Sequence, residues 1–538
     1  MTHTDSVGAE GTISPEAPLE QEKAKVPHAG LALVLILIAQ LMVVLDATIA
    51  NIALPYIGAD LDISQANLTW IVTGYSLAFG GLLLLGGRLG DLYGRRRLFM
   101  IGLTVFAVAS LLGGLATNEA LLLASRGLQG VGAALAAPAA LALITTTFPA
   151  GPERNRAMAA YATMSGIGAA IGLILGGWLT GLDQPLGVDG WRLTFLINVP
   201  IGLLAAFAAP RFLKESEKHT GWLDVPGAIT GTLGLLGIVF GLSRAGEAAY
   251  GWDHTQTIGS LVAGAVLLIA FVVIESRVDH PLLPMRIFAN RTRATSFVAM
   301  MIAPAAMFAM FFYLSLFIQQ IMGFSPLEAG FAFLPFSFGI VIGAALASNL
   351  AGRVDPRYLA GTGTLLAAIA LFMFSRISID DSPAGVFDAL ANGGADVSYW
   401  ADIFPYVSLM AVGMGLVFVP LTLTAVHHVK TEDSGIGSGV LNTMQQVGGA
   451  LGLATLSTVA LHYVNSRYDE VAGPISAAAN DPKLIEPAIF AATFPSGATH
   501  AFLVGSAMML AASAIIWIFL DVKHTELATD GPEGVHVG

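Results

Sequence analysis

The sequence predicts an all-α integral membrane protein with fourteen transmembrane helices, and three observations carry that prediction. The 538 residues are 55% hydrophobic and 12% charged, with a mean hydropathy of +0.73, against roughly 45–50% apolar and about 25% charged in soluble domains. Fourteen apolar stretches approach the ~20 residues that cross a hydrocarbon core. Lysine and arginine are also distributed unequally between alternate connections, the bias that orients membrane proteins. The absence of cysteine removes disulfides, thiolate metal sites and cysteine nucleophiles. The formal charge of −12 gathers in the tails and in the connections placed outside, so it reads as a solvated rim, and no nucleic-acid partner is expected.

Residues 1–29 are polar and read as a disordered cytoplasmic tail. The first apolar run, 31–50, has no small-residue cleavage site behind it and thirteen runs follow, so it is a span rather than a signal peptide. The others are expected near 68–89, 98–117, 120–147, 157–181, 193–211, 224–243, 257–275, 295–320, 327–350, 358–376, 402–425, 436–461 and 499–520. An even number places both ends on one side. Of the 25 basic residues, 19 fall on the side of the N-terminal tail, 5 on the other and 1 inside a span. The positive-inside rule then makes both termini cytoplasmic in a multi-pass cell membrane protein. The outer segments 377–401 and 462–498 are poor in basic residues and read as caps or mobile loops.

A repeat organises the spans. GRLGDLYGRRR (residues 87–97) follows the second span, and the shorter GRVDPR (352–357) follows the tenth. If these are equivalent connections, the chain is a six-helix bundle over 30–212, an inserted pair over 213–280, a second six-helix bundle over 281–521 and a cytoplasmic tail over 522–538. Transporters built from repeated halves hold substrate near the midplane between them.

Two intramembrane charges are singled out. A charge at a helix centre costs about 2.5–3.5 kcal/mol on insertion scales, so it is a functional candidate by default. Asp46 lies four residues before the end expected for the first span, and Arg126 six residues after the start of the fourth. At 1.5 Å per residue both sit roughly 6–9 Å below the outer edge, in one layer. They form either a proton-coupling pair or a permanent ion pair between two helices. Burial raises a carboxyl pKa and a nearby guanidinium lowers it, so a movement that alters either effect is a proton switch. Asn51 and Gln129 lie near this pair. A pocket of aromatic and amide groups is expected from Trp70, Tyr75, Phe312, Tyr313, Phe317 and Gln445, with Gln319, Gln320, Asn442 and Gln446 as further candidates; each also has an ordinary reading as helix packing. The spans of the second bundle carry no deep acid, Glu328 and Asp402 being near outer ends.

ATP-driven pumping is excluded on motif, because no lysine follows a glycine and the P-loop step is missing. His427 and His428, beside Lys430 and Glu432, point to different faces of a helix end and read as interfacial, so no metal site is assigned. No cofactor is expected.

Four motifs carry a family resemblance. GRLGDLYGRRRLF, with Gly87, Leu89, Asp91, Gly94, Arg95 and Arg96, resembles the signature between helices 2 and 3 of the major facilitator superfamily. ASRGLQGVGAA (124–134), VLDATIANIALP (44–55) and WRLTFLINVP (191–200) resemble motifs of its fourteen-helix drug:proton antiporters. Gly168, Gly172, Gly176 and Gly177 match the antiporter motif of the fifth span, while Leu173 stands where the family has proline. The glycines otherwise read as close helix packing. The resemblance implies two six-helix bundles plus two inserted helices, working as a monomer by alternating access. It implies export of amphipathic drugs or related small molecules in exchange for protons, or of an endogenous metabolite or lipid-like product by the same mechanism. It links Asp46 and Arg126 to proton coupling. It makes Gly87, Asp91, Gly94, Arg95 and Arg96 a conformational latch, with Asp91 bridging to the start of the thirteenth span around residues 434–437.

Overall fold

The computed structural model describes residues 29–149, 151–216, 221–427 and 434–529. Among the described residues there is no strand, and fourteen helices are long and apolar enough to cross a membrane. They are α1 (Ala29–Leu61), α2 (Gln65–Tyr93), α3 (Arg95–Gly114), α4 (Glu119–Thr147), α5 (Pro152–Thr180), α6 (Gly190–Phe212) and α7 (Val225–Gly246). The chain continues as α8 (Thr255–Arg277), α9 (Arg291–Ile321), α10 (Pro326–Leu350), α11 (Pro356–Phe374), α12 (Tyr399–Val426), α13 (Ile436–Ala478) and α14 (Pro482–Phe519).

Helices dominate because a backbone group left unpaired in hydrocarbon costs several kcal/mol, and the free N–H groups of each first turn must be met locally. The sequence supplies the caps. Asn118 accepts from Leu121 N at α4, Asp224 from Gly227 N at α7 and Asn290 from Arg293 N at α9. Ser325 and Glu328 close a full capping box at α10.

An even number of crossings leaves both described ends on one face, here the termini face. Helices α1 to α6 pack on one another, and α9 to α14 do likewise. One apolar core is confined to the first set and runs from Ala32 to Leu213. A second fills α9–α14 and continues into the opposite-face ends of α1, α2 and α5 through Ile52, Leu54, Ile71 and Leu173. Apolar packing thus joins the two sets at the opposite face.

The inserted α7 packs on both α2 and α13, so it lies along the seam between the sets. Trp70 on α2 donates to Ser243 Oγ of α7 at 3.1 Å. Asp224 and Glu275 are buried between α7 and α8, and Glu275 Oε2 accepts from Leu283 N at 2.9 Å, which anchors the connection to α9.

Three expected boundaries move. The first span does not end at Ala50: α1 runs to Leu61, because residues 51–61 stay apolar and the helix absorbs Pro55. Residues 462–498 are not a loop. There α13 and α14 extend as a helical hairpin, sealed by Val471, Ile475, Ala488 and Ala492 at helical spacing. An apolar-window search misses it because the outward faces are polar. Residues 377–401 contain a short helix, Pro383–Ala391, and Arg467 of the hairpin reaches Asp381 of this cap at 2.6 Å. Of the tails expected over 1–29 and 522–538, residues 1–28 and 530–538 lie outside the described residues, as do His428, Lys430 and Glu432, whereas His524–Thr529 form a short helix.

Candidate functional site

A cavity of about 1090 Å³ lies between the two helix sets. Its walls come from α1, α2, α4 and α5 on one side and α9, α12 and α13 on the other, with residues 279–286 at the rim. Arg88, Asp91 and Arg95 also line it and stand at the termini-face end of α2 and the start of α3, so the cavity opens toward that face. The opposite face is closed. Ser315 Oγ of α9 donates to Asn51 O of α1 at 2.9 Å. α5 and α10 meet backbone to backbone: a Cβ on Gly177 would stand 2.4 Å from Pro326 O, and one on Gly330 would stand 2.3 Å from Leu173 O.

The charged pair sits beside this cavity. Arg126 Nη1 donates to Asp46 Oδ2 at 2.6 Å, with the residues 1% and 3% exposed. Gln129 Nε2 donates to Asp46 Oδ1 at 2.9 Å and Asn198 Nδ2 to the same oxygen at 3.3 Å. Arg126 also donates from Nε to Ile71 O at 2.7 Å and from Nη1 to Gln129 Oε1 at 2.8 Å, and Gln129 donates to Ser110 Oγ. Five helices, α1, α2, α3, α4 and α6, therefore contribute to the network around the carboxylate and its cation. The guanidinium lies 4.6 Å from the Tyr75 ring centre. Tyr75 lines the cavity, and its buried hydroxyl has no hydrogen-bond partner among the described residues. Asp46 does not face the cavity, although Val43, Val44, Ala47 and Thr48 of the same helix do. One aromatic ring thus separates the ion pair from the central space.

Asp46 and Arg126 meet although they are not at equal depths in their own helices, since α1 projects beyond the end assumed for it. Asn198 and Ser110 are additions to the predicted cluster. An asparagine inside the apolar stretch LTFLINVP was the available signal for the first; a lone serine in a span gives none.

The predicted pocket residues divide. Tyr75 and Gln445 line the cavity, as do Asn442 and Gln446. Gln129 belongs to the charge cluster instead. Asn51 turns its amide onto Ala47 O, and Trp70 is spent on Ser243. Phe312, Tyr313 and Phe317 are buried in the core of the second set, where Tyr313 donates to Ser457 Oγ at 3.0 Å. Gln319 is buried and bonded to Ser315, while Gln320 is exposed and away from the cavity. Aromatic spans supply core as readily as pocket, and sequence does not tell the two apart.

The glycines of α5 are contact points. Gly168, Gly172 and Gly176 face α1, where a Cβ on Gly172 would lie 2.0 Å from Thr48 Oγ1, and Gly177 faces α10. Leu173 is buried within an unbroken helix.

The connection between α2 and α3 is gripped from its own helix set. Arg95 pairs with Asp91 at 3.0 Å. Arg96 N donates to Glu215 Oε1 and Arg95 N to Ser216 Oγ, both at 3.0 Å, so the segment after α6 caps α3. Gly94, at φ 106°, has no room for a side chain, because a Cβ would stand 2.6 Å from Glu215 Oε1. Asp91 makes no bridge to α13 among the described residues. Its carboxylate turns back to Arg95, although α2 and α13 pack on each other near this face, where a Cβ on Gly439 would stand 2.9 Å from Leu84. The side chains of residues 434 and 435, where that bridge was expected, lie outside the described residues.

The second connection repeats this grip. Arg96 Nη1 donates to Leu213 O, the carbonyl just after α6, at 3.1 Å, and Arg357 Nε donates to Leu520 O, just after α14, at 2.6 Å. Asp355 Oδ1 accepts from His524 N at 2.8 Å. These bonds hold the Asp355 carboxyl below the usual carboxylate range, the His524 backbone N–H being the larger cause and its ring the next.

Residues 36–453 match the family model described as Major Facilitator Superfamily. The chain is 37% identical to the puromycin resistance protein pur8 of Streptomyces alboniger, covering 94% of this chain and 93% of that one. It is 38% identical to the cephamycin export protein CmcT of Amycolatopsis lactamdurans over 81% of this chain and 86% of that protein. Among solved structures, a bacterial homologue of the human lysosomal transporter Spinster, inward-facing and occupied, superposes with a TM-score of 0.62 at 15% identity, covering 91% and 97% of the two chains.

Proposed function

Because this chain belongs to the major facilitator superfamily, we propose that it exports amphipathic drugs or related small organic molecules in exchange for protons, by alternating access. Members of the family are membrane transporters rather than enzymes. One observation carries the proposal: the buried Asp46–Arg126 pair stands one ring away from a cavity that is open to the termini face and closed at the other. Alternating access requires a site at the interface of two halves that is reached from one side at a time. Proton coupling requires a buried acid whose partner can be withdrawn. A carboxylate left unpaired in a low-dielectric site neutralises by binding a proton, so parting Asp46 from Arg126 loads it and rejoining them unloads it. The distribution of basic residues supports a cytoplasmic termini face, and on that reading this is the cargo-loading state.

Relatives named for puromycin resistance and cephamycin export support outward movement of antibiotic-like cargo. The second name also supports an alternative, export of an endogenous product by the same route. A proton falling through 100 mV supplies about 2.3 kcal/mol, which sustains a cargo gradient of between about tenfold and a hundredfold. Latching by Asp91 belongs to the state in which the termini-face ends close. The test is flux in reconstituted vesicles: with the lumen acidified, uptake of puromycin by molecules in the inside-out orientation is expected, and its absence for puromycin and a panel of drugs would refute proton-driven export.

A further inference from the structure

The cavity lining on α13 is rich in amides: Asn442, Gln445 and Gln446 face the space. Asn442 and Gln446 make no hydrogen bond to the described protein, and Gln445 has only a 4.0 Å contact with Met300 Sδ. Three amides, each able to donate and accept, are therefore open to a guest. Beside these amides the lining is apolar and aromatic, with Phe79 and Tyr75 of α2 and Phe308 of α9, two helices that pack directly on α13.

Formal charge is confined to the mouth. The charged groups lining the cavity are Arg88, Asp91, Arg95, Asp279 and Arg286, all in the last turns of α2, at the start of α3 or in the connection before α9, at the termini face. The carboxylate nearest the deep end is Asp46, which is committed to Arg126, Gln129 and Asn198 and screened by Tyr75. A permanent cation entering this region would shed its hydration and meet no counter-charge, a penalty that amides and rings repay only in part. A neutral guest with an apolar face and a hydrogen-bonding edge loses little water and satisfies the three amides.

Building on the transport function proposed above, we infer that the bound cargo is uncharged: a molecule with a flat or polycyclic apolar face and a carbonyl, amide or hydroxyl edge directed at Asn442, Gln445 and Gln446. Permanent organic cations are discriminated against by the uncharged deep end.

Two probes share a body and differ in charge. Triphenylphosphine oxide is neutral with one strong acceptor; tetraphenylphosphonium is a permanent cation with none. Binding to the purified full chain in nanodiscs, followed by calorimetry, is expected to favour the oxide by about tenfold or more. Replacing both Asn442→Ala and Gln446→Ala lowers affinity for the oxide by about tenfold and leaves the cation unchanged, whereas Asn442→Asp strengthens binding of the cation. Equal or tighter binding of the cation to the unaltered chain, or binding of neither compound, overturns the inference. Vesicle flux separates this from the transport proposal: proton-driven movement of the cation would leave export standing and remove the neutral-cargo inference, while selective oxide binding with no gradient-driven flux of any compound would do the reverse.

Discussion

Arg126 donates to Asp46 at 2.6 Å inside the first helix set, and the Tyr75 ring lies 4.6 Å from the guanidinium, between this pair and the cavity. Removing one partner of such a pair leaves the other buried and uncompensated, which costs about 3–5 kcal/mol. Asp46→Asn keeps an acceptor for Gln129 and Asn198 but can no longer exchange a proton. The expected outcome is cargo affinity within about threefold of the parent, persistent counterflow in the absence of a gradient, and no pH-driven flux. Undiminished pH-driven flux would remove Asp46 from the coupling mechanism.

Tyr75 gives a second handle on the same pair. Its buried hydroxyl has no partner among the described residues, so Tyr75→Phe is expected to leave stability unchanged or raise it, by up to about 1–3 kcal/mol, because an unsatisfied buried group carries a desolvation cost of that size. Tyr75→Ala removes the ring that screens Asp46. Water from the cavity then reaches the pair, and the variant is expected to leak protons without cargo. A lumenal pH dye in vesicles reads this directly, and tight vesicles would show that the ring is not the barrier.

Much of this site was legible because charge in hydrocarbon is costly: Asp46, Arg126 and the cluster around Asp91 stand out against apolar runs without any structure. The fourteen crossings followed from the same contrast. What escaped was whatever depends on partners distant in sequence. Asn198, Glu215 and Ser216 look like ordinary polar residues until α6 folds back on α1 and α3. Phe312, Phe317 and Tyr313 were indistinguishable from pocket lining, because core and cavity draw on the same residue types. Hydropathy was also blind to the hairpin at 462–498, whose helices are amphipathic rather than uniformly apolar.

Gly94 and Glu215 test the grip on the α2–α3 connection. At φ 106° an alanine carries a backbone strain of about 1–3 kcal/mol, and its Cβ would also press on Glu215 Oε1. Glu215→Ala alone loses an acceptor for the first turn of α3, a loss of about 0.5–2 kcal/mol. Thermal unfolding in detergent is expected to show that Gly94→Ala with Glu215→Ala costs at least about 0.5 kcal/mol less than the two single changes added together. Strict additivity would mean that the carboxylate does not dictate the glycine.

The equivalent grip in the second set depends on pH. Bonds from His524 depress the Asp355 carboxyl below its ordinary 3.8. A depressed acid contributes stability above its unfolded value and loses it as pH falls through the lower folded value. The tie between Asp355 and the segment after α14 is therefore expected to be intact from neutrality down to about pH 4 and to loosen below that. A spin label at Lys523→Cys, introduced into a chain with no other cysteine, should gain mobility only on the acid side; Asp355→Asn should move that onset or abolish it.

Closure of the opposite face rests on the meeting of α5 and α10, where neither Gly177 nor Gly330 can carry a Cβ without striking a backbone oxygen. On the alternating-access mechanism proposed above, strain placed there acts on the closed state alone, because opening of that face parts the two helices. Gly177→Ala is therefore expected to shift the population toward opposite-face opening, and Gly177→Leu to shift it further. A ligand or mutation that alters one state by about 1.4 kcal/mol changes the ratio tenfold. With a single cysteine at Thr48, in the wall beneath the closed face, a membrane-impermeant maleimide added from the opposite side should label the Gly177 variants several-fold faster than the parent. Equal rates would place the barrier elsewhere, at the Ser315–Asn51 contact between α9 and α1.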